Sequence, residues 1–241
     1  AGHRAAEFGW STAKLAMCVG VSGTNCGSAT KAAGSLTWQA GGGGGSSYTY
    51  GQPFYQAGVV PAALALRNQA LFGPTPVRVV PDVAMDADAS SGMLIGLTQA
   101  FPHGNHYGQF KEGGTSLASP LFAGVIADAD QAAGGTLGFL NPELYKAWSA
   151  TPGSFNDILP PAPADVSKTA IVRVDFTNTV DNSSGFSISV RAINYAGPET
   201  YCDGSANCAT RNVTLTTAPG FDGLTGLGSI GTKFIAAMSG F

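Results

Sequence analysis

The stretch FKEGGTSLASPLFAGVIADADQ, residues 110–131, decides how the rest of the chain is read. From Ser116 onward the apolar positions Leu117, Leu121, Phe122, Val125, Ile126 and Ala129 recur at helical spacing, with Asp128, Asp130 and Gln131 late in the run. That period predicts a helix with one face turned to a core. Pro120 suits such a helix if it lies in the first turn, where an intrahelical hydrogen bond is least missed. Ser116 then stands at or just before the helix N-terminus, and two readings of it follow. It can be an N-cap, for which serine is among the preferred residues. Alternatively, the unpaired N–H groups and positive end of the helix can stabilise negative charge growing on the serine oxygen and on an attacked carbonyl. Gly113 and Gly114, lacking side chains, would let a substrate backbone come close.

The surrounding composition narrows the setting. The 241 residues are 44% hydrophobic, enough for a sizeable core, and only 11% charged, against about 25% in an average domain. The formal net charge is -3, and the 12 basic residues form no polybasic run, so neither nucleic acid nor an anionic membrane surface is expected as a partner. No apolar run reaches the ~18 residues of a membrane span, and AGHRAAEFGW at the start has no signal-peptide apolar region.

The four cysteines fall into two local pairs, Cys18 with Cys26 and Cys202 with Cys208, each in a loop rich in Gly, Ser and Asn. Two small disulfide-closed loops are the natural reading, and they favour an oxidising compartment, hence a secreted or extracellular protein. Neither spacing is C-x-x-C and no histidine is near enough to complete a zinc set.

Elsewhere, AGGGGGSSYTYG (40–51) reads as a loop or strand where another backbone must come close. VRVVPDVAMDADA offers a short buried strand ending at Pro81, followed by an acidic loop. AIVRVDF (170–176) and GFSISVRAI (185–193) alternate apolar and polar residues around DNSS and predict a β-hairpin. Strands mixed with long helical segments indicate an α/β domain. Asn182 and Asn212 open N-x-[ST] sequons, which bear on the protein only in a eukaryotic secretory host.

GGTSLASPLFAGV resembles the nucleophile motif of the subtilisin and sedolisin clan of serine peptidases, in which Gly-Thr-Ser-x-x-x-Pro opens the helix carrying the catalytic serine. A subtilisin would also need a histidine base, in the chain order Asp, His, Ser. The histidines here are His3, His103 and His106, and PHGNHYG has the wrong spacing for that role, so His103 and His106 read as surface-loop residues. The sedolisins, or serine-carboxyl peptidases, fit better. GGGGGSSYTYGQPFYQ resembles their Gly-rich segment and Pro-x-Tyr-Gln element. RVVPDVAMDADASSG, GFLNPELY, FNDI and APGFDGLTGLGS (218–229) resemble further blocks, in the family's order. Asp82 in the first of these reads as structural, buried and hydrogen-bonded, with no catalytic role.

The resemblance implies a subtilisin-like parallel sheet flanked by helices, with a β-hairpin insertion near a calcium site. It implies that residues 1–241 form a single domain, the C-terminal portion of a peptidase catalytic domain. It makes Ser116 the nucleophile of a serine-type endopeptidase or tripeptidyl peptidase that cleaves peptide or protein substrates at acidic pH through an acyl-enzyme. It also implies calcium held by the carboxylates of Asp157 and Asp222 and the main-chain carbonyls of Ile158, Ala218 and Gly220, with Ala218 departing from the family's usual glycine. The competing reading of the last set is that Asp157 caps a turn and Asp222 begins an Asp-Gly turn.

Sedolisins take the serine proton with a Glu that an Asp four residues later orients on the same helix face, and place another Asp of a Ser-Gly-Asp-Ser-Gly segment in the oxyanion hole. No such helix pair is read at Glu7, Glu112, Glu143 or Glu199, and Ser-Gly-Asp-Ser-Gly does not occur. In the family these elements precede the Gly-rich segment. The expectation is therefore a chain inactive alone, paired with an N-terminal chain of the same precursor or truncated from it. The alternative is a non-catalytic, calcium-stabilised homologue serving as a peptide-binding module.

Overall fold

A computed structural model describes residues 7–17, 37–89, 91–162, 172–176, 186–191, 195–202 and 208–240. The chain divides into two compact units. One comprises Ala1–Ala6, Trp10–Gly41 and Pro161–Leu215, the other Glu7–Gly9, Gly42–Pro160 and Thr216–Phe241.

The first unit is a β structure assembled from distant stretches of sequence. Ser11–Met17 lies between Thr37–Gly41 and Phe186–Arg191, and Val172–Phe176 flanks the latter, giving a four-stranded antiparallel sheet. The two strands of the expected hairpin pair antiparallel, with Phe176 opposite Phe186, while DNSS lies outside the described residues; their alternating, β-branched sequence suits a pleated strand pair. Tyr195–Cys202 and Cys208–Leu215 form a separate ribbon whose register sets Cys202 opposite Cys208. Cys18 and Cys26 lie outside the described residues.

The second unit carries the blocks that resemble sedolisins. Its longest helix, Thr115–Ala133, follows directly on a hairpin of Met93–Phe101 and Gly104–Glu112. Helices Asn141–Ala150 and Phe234–Met238 share its core. The helical period placed the apolar face correctly: Leu117 and Ala129 are buried, and Phe122, Val125 and Ile126 pack half-buried on the core cluster. Phe155 meets Phe234 edge-on at 5.3 Å and Tyr145 stacks on Phe221 at 6.3 Å, arrangements that aromatic quadrupoles favour. Val77–Val80 is a short strand with Val77 and Val79 buried, ending before Pro81.

Two backbone crossings explain glycines in the motifs. A Cβ on Gly44 would stand 1.5 Å from the Gly223 carbonyl oxygen, so the Gly-rich segment admits the close backbone approach expected of it. Gly226 has φ 64°, and a Cβ there would lie 2.4 Å from the Asp82 carbonyl oxygen. Only glycine fits such a site without displacing main chain.

Helices and strands mix as an α/β reading expects, but the sheets differ from the expected parallel one. Every strand pair among the described residues is antiparallel, including Gly45–Gly51 with Val77–Val80 and Phe155–Asn156 with Ser229–Ile230. The parallel contact is an isolated bridge between Ala84 and Ser229. Connection length is the reason for the long hairpin: two residues join Phe101 to Gly104, whereas a parallel pair needs a crossover of about a dozen or more.

Candidate functional site

The turn before the Thr115–Ala133 helix is fixed by main chain. Gly114 is the N-cap, with φ 86° and ψ 168°, a conformation that glycine reaches at little cost. Its N–H donates to the Ala87 carbonyl at 2.6 Å, and its own carbonyl accepts the N–H groups of Leu117 and Ala118 at 3.0 and 3.2 Å. Ser116 is therefore the second helical residue, with no side-chain cap bond made at this terminus. The N-cap reading of Ser116 gives way. Its side chain is exposed, and no described residue accepts the N–H of Thr115 or Ser116.

Two expectations about this turn are corrected. Pro120 is the sixth helical residue and sits inside the helix rather than in its first turn, because the helix begins at Thr115. Lacking an N–H, it leaves the Ser116 carbonyl without the usual partner four residues on. Gly113, expected to make room for substrate, instead makes room for the protein: a Cβ there would be 2.5 Å from the backbone N and Cα of Ala89. The Ala87–Ala89 segment thus braces the turn from behind.

His103 lies in the tip of the Met93–Glu112 hairpin, and His106 pairs with Gln99 near that tip, both exposed. Glu112 is six residue steps along the strand from His106, about 20 Å at the rise of a strand, which fits their surface reading. Glu7 accepts the Ser229 hydroxyl at 2.7 Å. One Glu-x-x-x-Asp spacing does occur, Glu199 with Asp203. Glu199 lies in the strand Tyr195–Cys202, where residues four apart are about 13 Å apart rather than on one helix face, and Asp203 lies outside the described residues.

Asp82 holds a polar network together. Its carboxylate accepts Asn141 Nδ2 and the Tyr145 hydroxyl, each at 2.8 Å, and pairs with Arg78; its carbonyl accepts Leu227 N–H at 2.8 Å. Gln56, fully buried, donates to Tyr145 Oη and to the Val79 carbonyl, both at 2.7 Å, and accepts Val79 N–H at 3.0 Å. Burial first, and then the adjacent Asp82 carboxylate, push the Tyr145 phenol well above its ordinary value. Burial likewise raises Tyr55. Asp82 is hydrogen-bonded as expected, but part-buried rather than buried. Its partners Asn141 and Tyr145, and Gln56 which joins through Tyr145, were visible only as letters of the PFYQ and GFLNPELY motifs, since nothing in their spacing brings them together.

Of the five residues expected around calcium, Asp157, Ala218, Gly220 and Asp222 are joined by hydrogen bonds at one turn. Asp157 Oδ2 accepts Gly220 N–H at 2.8 Å, across 63 residues of sequence. Asp222, 3% exposed, accepts Leu224 and Thr225 N–H on Oδ1 at 2.8 and 2.7 Å, and Ala218 N–H and the Thr225 hydroxyl on Oδ2 at 3.1 and 2.9 Å. Those four donors occupy the ~four lone-pair sites of a carboxylate, so Asp222 organises the turn without help from an ion. The carbonyls of Ile158, Ala218 and Gly220 accept no hydrogen bond from any described residue. The oxygens suit calcium in kind, with the reservation that Asp222 must exchange a donor to serve as ligand. Among the described residues no group of three or more His, Cys, Asp or Glu could hold a metal, so a site here depends on main-chain carbonyls.

The known proteins that the chain is similar to are peptidases. No protein-family model matches it. It is 38% identical to sedolisin of a Pseudomonas strain over 92 residues, 37% of this chain and 14% of that protein. It is 36% identical over 121 residues both to kumamolisin of a Bacillus strain, covering 48% of this chain and 18% of that protein, and to a tripeptidyl-peptidase of Aspergillus fumigatus, covering 46% and 19%. The matches therefore span less than a fifth of each relative's length. Over these stretches the chain is a relative of the sedolisins, the serine-carboxyl peptidases, and it is their C-terminal part that it resembles. Among the described residues no helix is long and apolar enough to cross a membrane.

Proposed function

We propose that the chain carries the nucleophile of an acid-acting serine-carboxyl peptidase, Ser116. The observation that carries this reading is the exposed serine at the second position of a helix whose first N–H groups have no partner among the described residues. Ser116 Oγ adds to the scissile carbonyl as a base takes its proton; collapse expels the amine, which takes the proton back, and leaves an acyl-enzyme that water hydrolyses. The Ser116 N–H and the helix dipole favour the oxyanion. The base, a Glu oriented by an Asp, and a second oxyanion donor belong to an N-terminal part of the precursor that pairs with this chain. A carboxylate base still accepts a proton at acid pH, where imidazole, with a pKa of about 6.5, is already charged.

The subtilisin-like parallel sheet belongs to this reading as a property of the completed catalytic domain. So does calcium: Asp157 and Asp222, with the carbonyls of Ile158, Ala218 and Gly220, would hold it, and the ion would tie the segment after the Asn141–Ala150 helix to the C-terminal turn. Secretion and the two disulfides complete the proposal. Labelling tests it. In the full-length protein at acid pH, a peptide-aldehyde inhibitor should block peptide hydrolysis and Ser116→Ala should abolish it. A protein that binds peptides yet neither cleaves them nor reacts with the inhibitor would instead be the non-catalytic binding module.

A further inference from the structure

The hairpin that leads into the nucleophile turn has an apolar face that stays partly exposed among the described residues. Strand register puts Met93 opposite Glu112, Ile95 opposite Phe110 and Leu97 opposite Gly108, and alternation sends these pairs to one side. Met93 and Phe110 are 47% and 39% exposed, and Ile95 and Leu97 are only half-buried. Within 4 Å of a Cβ built on Gly108 there is no atom, so the face has a notch between Phe110 and the hairpin tip. On the opposite side Leu94 and Tyr107 are exposed as well, but there Tyr107 folds across Gly96, its hydroxyl 2.2 Å from where a Cβ would be, and accepts Gln109 Nε2 at 2.9 Å.

This face begins four residues from Ser116. The chain from Glu112 to Ser116 spans at most about 14 Å even if fully extended. An extended peptide rises about 3.3 Å per residue, so residues about three to five positions from a bond cleaved at Ser116 come level with Met93 and Phe110. We infer that Met93, Ile95, Leu97 and Phe110, with the Gly108 notch, form a subsite for an apolar side chain of the peptide substrate, distant from the scissile bond. This rests on the peptidase reading of Ser116 and adds to it a determinant of specificity. The occupant is an apolar extended peptide because the face is continuous with the nucleophile turn through Glu112–Ser116 and is open at Gly108, with Glu112 as the charged group at its base.

The test uses the full-length protein and two sets of peptides with one cleavage site, carrying Leu or Asn at the third, fourth or fifth position on either side. Wild type should prefer Leu over Asn at one of these positions by about tenfold in kcat/KM, the lower end of what a hydrophobic pocket gives. Gly108→Leu, which fills the notch, and Phe110→Lys should bring that ratio close to one. Hydrolysis with no preference at any position overturns the subsite while leaving the peptidase reading standing; no hydrolysis, with wild type and Ser116→Ala alike, overturns that reading itself. A thiol reagent on Met93→Cys supplies a second check. Rapid labelling, slowed by a Leu-bearing peptide, supports the subsite, and protection without peptide means that another part of the protein covers the face and overturns it.

Discussion

Tyr145 donates its hydroxyl to Asp82 Oδ1 at 2.8 Å, joining residues 63 apart in sequence. The bond fastens the Asn141–Ala150 helix to the segment that follows the Val77–Val80 strand, and Gln56 binds the same hydroxyl from the other side. Because Leu227 N–H also reaches the Asp82 carbonyl, one aspartate links both segments to the C-terminal turn.

Removing that hydroxyl should be costly. Tyr145→Phe leaves buried Gln56 and the Asp82 carboxylate each short of a partner, a loss of about 1–3 kcal/mol, measurable by urea denaturation at neutral pH. The pH dependence follows from the sign of the shift. The folded phenol titrates above its unfolded value of about 10, so the stability of the neutral form is complete below that value and is lost as pH rises toward the folded one. Wild type should therefore weaken at alkaline pH more steeply than Tyr145→Phe.

Ser116 and Gly114 should separate chemistry from folding. Ser116→Ala is expected to leave thermal stability within about 0.5 kcal/mol of wild type, since the side chain is exposed and caps nothing. Loss of a true N-cap would cost about 1 kcal/mol. Gly114→Ala forces a side chain to φ 86° and should cost about 1–2 kcal/mol, seen as a lower melting temperature together with slower inhibitor labelling of Ser116.

Chelation examines the C-terminal turn. If calcium binds as proposed, a chelator lowers the melting temperature of wild type, because an ion bound only to the native state stabilises it by mass action. Asp157→Ala should remove that response. Asp222→Ala should remove it too and also lower stability in chelator, since four hydrogen bonds depend on that carboxylate. Equal responses to chelator in wild type and both variants would place any ion elsewhere.

The ribbon predicts a covalent closure. Directly opposed residues of an antiparallel pair have Cα atoms about 4.5–5.5 Å apart, within the range a disulfide spans, and Cys202 stands opposite Cys208. Peptide mapping without reduction should recover the two cysteines in one cross-linked fragment. Recovery of both as free thiols from protein purified under oxidising conditions rejects the bridge.

The sequence by itself determined the helix after Ser116, the strands 172–176 and 186–191 that pair, the strand ending at Pro81 and the relation to sedolisins, because each is written in a short period or motif. The resemblance also sufficed to mark Asp82 as hydrogen-bonded. Tertiary structure decided what depends on contacts between distant residues. Spacing could not tell that Gly113 faces Ala89 rather than a substrate, that Gly114 rather than Ser116 caps the helix, or that Asp222 has its lone pairs filled by its own turn. The antiparallel pairing was equally hidden, since the alternation of a strand says which face is apolar but not which neighbour it will take. Met93 and Phe110 are of the same kind: in sequence they are ordinary hydrophobic residues of two strands, and only the register of the folded hairpin puts them on one face of the element that leads to Ser116.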